Sequence, residues 1–148
     1  MDATVTATDD PRRVLQEARD FLVSDPVRHN VMMTILENRA ATGEPGRWWL
    51  SLLDGRVAGL AFQSPLTFLA GVAPMPDELV PVLVDAIASA GVRLPGVIGM
   101  AHTAARFAGE WTQVCKSAAV PVQGQRIYEV AEVITPDRVP GEIGRAHV

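Results

Sequence analysis

The feature that most constrains the fold is the dipeptide Asp54-Gly55, set between two runs of β-branched, aromatic and aliphatic residues, 48–53 and 56–63. A type I′ turn needs positive φ at both central positions, and Asp-Gly supplies it at low cost, so a two-residue β-hairpin is expected here. Ser64-Pro65 then stops the second strand, because proline lacks a donor and fixes φ. A third strand is expected over 66–72. Three consecutive antiparallel strands therefore form the frame on which the rest must pack.

Around this frame the pattern alternates helix and strand. Residues 1–7, which overlap the β-branched run TVTAT over 4–8, are expected to form a short edge strand, with a frayed tail as the competing reading. Asp10-Pro11 pairs an N-cap with proline at the first helical position, and Val14, Leu15, Ala18, Phe21 and Leu22 recur on one face, which predicts a helix over 11–23. Ser24-Asp25-Pro26 repeats the start signal and predicts a second helix over 26–41, with Val27, Val31, Met32, Ile35 and Leu36 inward. After the three strands, Leu79, Val82, Leu83, Ala86, Ile87 and Ala90 mark a third helix closed by Gly91, which requires Pro81 to lie in its first turn. Residues 95–100 are short, apolar and bounded by helices, as in a buried central strand running parallel to its neighbour. A fourth helix is expected over 103–116, with Ala104, Phe107, Ala108, Trp111 and Cys115 on one face and His102 or Thr103 as cap. Residues 123–134 alternate Ile127, Glu129, Ala131 and Val133 against Arg126, Tyr128, Val130 and Glu132, the period of a last long strand.

The expected order is (β)-α-α-β-β-β-α-β-α-β, an α/β fold with a mixed sheet of about six strands flanked by four helices. Its 148 residues suit a single domain that buries roughly 70% of its unfolded surface. No apolar run approaches the ~18–20 residues of a membrane span. The acidic, polar start MDATVTATDDP lacks the basic and apolar regions of a secretory signal, so a cytoplasmic location is expected. The tail, 135–148, holds two prolines and two glycines and then Arg145-Ala146-His147-Val148. It reads as a linker followed by the opening of a further strand, as though the chain were cut short.

Few residues offer chemistry. Cys115 is the single cysteine, which excludes an internal disulfide, and it reads as a half-buried helix residue rather than a nucleophile. His29, His102 and His147 are far apart and lack the clustered spacing of a metal site or a base with its orienting partner, so they are expected as cap, surface or tail residues. Glu110 lies one position round from an apolar stripe and reads as surface or salt-bridged rather than as a shielded base. Trp48 and Trp49 point to opposite faces of a strand. One is expected in the core and the other under a loop, with a ligand-framing role as the competing reading. The net charge is −4 and the basic residues are scattered. The pair Arg12-Arg13 sits beside Asp9 and Asp10 and reads as solvated helix surface, so nucleic acid is not an expected partner.

Four stretches, taken in order, carry a family resemblance: Asp25-Pro26-Val27 with Asn30; Asp54-Gly55-x-x-x-Gly59; Leu94-Pro95-Gly96-Val97-x-Gly99 before Phe107-Ala108-x-x-Trp111; and Ile127-Tyr128-Glu129 leading to Pro136 and Pro140-Gly141. With the element order, they resemble the GNAT acyl-CoA N-acyltransferase superfamily, and more closely the N-terminal, degenerate domain of bacterial tandem GNAT proteins. The resemblance implies a GNAT-like domain over 1–134 and a linker or the start of a following domain over 135–148. It also implies that acetyl-CoA pyrophosphate would be gripped by backbone amides of a Gln/Arg-x-x-Gly-x-Gly/Ala loop at a helix N-terminus. At that position this chain reads Gly71-Val72-Ala73-Pro74-Met75-Pro76-Asp77-Glu78. The basic residue and the loop glycines are missing, two prolines remove donors, and two acids oppose an anion. The resemblance therefore assigns no catalytic, cofactor-binding or metal-binding residue here. It implies a non-catalytic partner for a following GNAT domain, which would bind acetyl-CoA, or for a second copy of the chain in a homodimer.

Overall fold

The computed structural model describes residues 2–141. Arg47–Leu53 (β2) and Arg56–Gln63 (β3) form the expected hairpin, with Asp54 at φ +50° and Gly55 at φ +79°. Between Ser51 and Leu52 the register shifts, so that Ser51 faces Gly59 and Leu52 faces Val57. Ala3–Thr8 (β1) runs antiparallel beside β2, and Ala70–Val72 (β4) antiparallel beside β3. Val97–Gly99 (β5) adds parallel to β4, which completes one mixed five-stranded sheet in the order β1-β2-β3-β4-β5. With helices Pro11–Glu17 (α1), Arg19–Ser24 (α2), Asn30–Thr42 (α3), Leu79–Ser89 (α4) and Ala101–Cys115 (α5), the fold is α+β.

Strand alternation divides the core into two layers, one on each face of the sheet. Trp48, Leu50, Leu60 and Phe62 pack with Val14, Ala18, Leu22, Met32 and Leu36 of α1–α3. Trp49, Ala61 and Val72 pack with Leu79, Val80, Leu83, Val84 and Ile87 of α4 and Phe107 of α5. Burying each large apolar side chain contributes about 1.5–3 kcal/mol, so both layers are strong. Both tryptophans lie in the core, where one was expected there and the other under a loop. Pro81 falls in the first turn of α4, as its missing donor requires.

Several boundaries depart from the sequence expectation. The first helix divides at Ala18 into α1 and α2, giving five helices among the described residues where four were expected. Residues 26–29 form a turn before α3, held by Arg28 N–H to Asp25 Oδ1 (3.1 Å) and His29 N–H to Asp25 O (3.0 Å). The start signal at Asp25 thus organises a turn, and the helix begins at Asn30. Val31, expected inward, is exposed, whereas Val80 and Val84 join the core of α4. Strand β4 begins only at Ala70. Residues 65–68 turn instead, with Phe68 N–H bonded to Pro65 O and Gln63 Nε2 donating to Phe68 O at 2.8 Å.

The largest departure is at the C-terminal side of the sheet. The last long strand expected over 123–134 is not formed: these residues are irregular and exposed. A strand is stable through its neighbours, and alternation by itself supplies none. In consequence β5, expected to be central and buried, is an edge strand with Ile98 exposed. The sheet therefore has five strands among the described residues, not six. The end of α5, including Cys115, which was expected to be half-buried, is exposed. The further strand expected at 145–148 lies outside the described residues.

Candidate functional site

The two parallel strands, β4 and β5, release the chain at the same end of the sheet, and the helices that follow, α4 and α5, both begin there. Crevices at the carboxyl ends of parallel strands are favoured ligand positions in α/β folds. Residues 73–78 and 100–102 line this end. Their connection is a hydrogen bond between Asp77 Oδ1 and His102 Nε2 at 2.8 Å, on side chains that are both largely exposed. His102 does not cap α5; its N-cap is Met100.

Proline and internal hydrogen bonds take up part of the backbone donor set at the start of α4. Pro74, Pro76 and Pro81 have no N–H. The N–H of Ala73 donates to Leu60 O, that of Leu79 to Pro76 O, and that of Val80 to Asp77 O, at 2.9–3.2 Å. Glu78 occupies the N-cap without a side-chain capping bond. The loop also folds inward. Met75 is buried with the α4 layer and rests on Gly59, where a Cβ would come within 3.0 Å of Met75 Sδ. Glycine at position 59 is what lets the loop close over the sheet. A helix start that elsewhere would receive an anion is here supplied with carboxylates, and the loop before it turns a methionine into the core.

The remaining sequence candidates are dispersed. His29 occupies the N-cap of α3, one of the expected places, but its side chain makes no capping bond and is buried: the ring stacks on Phe21 with centroids 4.5 Å apart, and Nδ1 lies 3.3 Å from Leu22 O. The aromatic contact explains the burial, since it lets the ring fill a gap between α2 and α3. Glu110 pairs with Arg106 one helical turn away, as a salt-bridged residue. Arg13 pairs with Glu17 at 2.7 Å and Arg12 reaches Ala40 O, both on the helix surface. His147 lies outside the described residues. Among the described residues no group of three or more His, Cys, Asp or Glu side chains could hold a metal. No helix there is long and apolar enough to cross a membrane.

Two open clefts lie elsewhere. The larger, about 570 Å³, is bounded by Thr8, Arg13, Arg47, Trp49 and Gly91, at the opposite end of the sheet from Asp77 and His102. The other, about 480 Å³, runs between α2 and α3 beside Leu22, His29 and Met33. Among the described residues two buried polar atoms, Trp48 Nε1 and Ser51 Oγ, have no hydrogen-bond partner.

The Asp77–His102 contact is the one polar pairing at this end that residue patterns did not reveal. Its signal was topological: two helices that follow adjacent parallel strands must start side by side. Comparison with family models, curated proteins and solved structures finds no match to this chain.

Proposed function

We propose that the chain is a non-catalytic GNAT-like domain that supports a catalytic partner domain, the partner transferring an acyl group from acyl-CoA to an amine. What carries this reading is the start of α4. The resemblance puts a pyrophosphate grip there, and this chain has prolines, engaged amides, Asp77 and Glu78 in its place. Charge repulsion and missing donors both oppose a phosphate group at that point. The element order through α5 also supports the relation.

The test is a thermal shift of the chain with acetyl-CoA. A ligand at 100 times its dissociation constant would stabilise the fold by about 2.7 kcal/mol; the expected shift is nil. A clear upward shift would sink the non-catalytic reading and favour an unusual acyltransferase. An open reading frame that continues past Val148 into a strand, two helices and a Gln/Arg-x-x-Gly-x-Gly loop would support the tandem arrangement. The second reading, an assembly module without an enzymatic parent, is favoured by the exposed apolar residues beyond α5.

A further inference from the structure

We propose that residues 126–134 of a second copy of this chain add as an antiparallel strand to the open edge of β5, each copy giving its segment to the other. The acceptor is set by backbone geometry. The carbonyl of Gly96 takes the N–H of Ala70 at 3.0 Å, so the polar backbone groups of Gly96 and Ile98 point toward β4. By alternation those of Val97 and Gly99 point away, along an edge that no strand of the described residues pairs with. Ile98 and Met100 stand exposed beside it.

The donor lies in the same chain. Tyr128, Val130, Val133 and Ile134 are between 69% and 85% exposed, an apolar concentration that a solvated coil has no use for. Their alternating pattern fits a ladder and is not used in one. Open edges with exposed apolar side chains are sites of chain-to-chain pairing unless something covers them.

A second copy is the occupant because the segment and the edge do not meet within one chain: residues 123–134 are irregular and exposed, and β5 has β4 as its one neighbour among the described residues. The β5 ladder is only three residues long, and a twofold-related copy can present the segment antiparallel, the stronger kind of pairing. Residues 117–125, with Pro121 and Gly124, reach up to about 30 Å when extended, enough to cross between copies. Reciprocal exchange closes after two chains, since each copy fills the edge of the other. The pairing stands on these residues alone and does not depend on the acyltransferase relation.

The full chain is measured by light scattering over a dilution series, with amide exchange followed at Val97, Gly99 and residues 126–134. Twice the mass of one chain is expected, with both sets of amides protected together and losing protection together on dilution. Proline at both positions (Val130→Pro with Ala131→Pro) removes an N–H on each side of the strand, so a ladder donor is lost in either register, and is expected to leave a folded monomer, whereas Val130→Thr with Ala131→Ser retains both donors and stays dimeric. A single-chain mass at every concentration would overturn the proposal. So would an assembly of more than two chains, a dimer indifferent to the two prolines, or protection of 126–134 in a monomer.

Discussion

The β2–β3 hairpin and β5 draw on similarly apolar residues and reach opposite ends. Each hairpin strand has a neighbour on both sides and a helical layer on both faces, and Trp48, Trp49, Leu50 and Leu60 are almost fully buried. β5 has one neighbour, three residues and an exposed Ile98. The difference comes from where the instructions lie. The hairpin is specified within a few residues by Asp54-Gly55, so pairing and register follow locally. β5 depends on a partner strand distant in sequence, and on this chain that partner is not engaged. Apolar composition alone decides neither outcome.

This contrast can be broken by substitution. Trp49→Ala removes a central side chain shared by the hairpin and α4, and a loss of about 3–5 kcal/mol is expected in urea unfolding. Gly59→Val forces a side chain against Met75, and should cost about 1–3 kcal/mol by overpacking. Its amide-exchange signature should concentrate in residues 73–78. Asp10→Ala deletes the bond from Arg12 N–H to Asp10 Oδ1 at 2.9 Å, with a loss of about 1 kcal/mol. On the β5 side, Cys115→Ser lies on the exposed end of α5, and its thermal unfolding should stay within about 0.5 kcal/mol of the parent. A larger effect there than at Asp10 would mean that α5 is supported along its whole length, and the contrast would fail.

The same distinction explains what could be read in advance. The hairpin bounds, the N-cap at Asp10, the place of Pro81 and the parallel direction of β5 were legible, because turn chemistry and capping act within a few residues. The 123–134 strand was not, since alternation reports a strand-like pattern without saying whether a neighbour exists. Val31 and Cys115 fell on predicted apolar stripes and emerged exposed, because periodicity marks a face and cannot tell how far the opposing surface extends. His29 takes a cap position, as expected, but its burial was not legible, because its polar ring gave no sign that Phe21 would be there to stack on. At the candidate site, Pro74, Pro76, Asp77 and Glu78 could be read directly. The approach of His102 to Asp77 needed the sheet order.

Trp48 and Trp49 are joined by a single peptide bond, yet one anchors the layer under α1–α3 and the other the layer under α4 and α5. β2 is thus a party wall, and neither room can be emptied while it stands straight. Heat or denaturant should therefore dismantle the two layers in one concerted step, and fluorescence from either indole should trace the same curve.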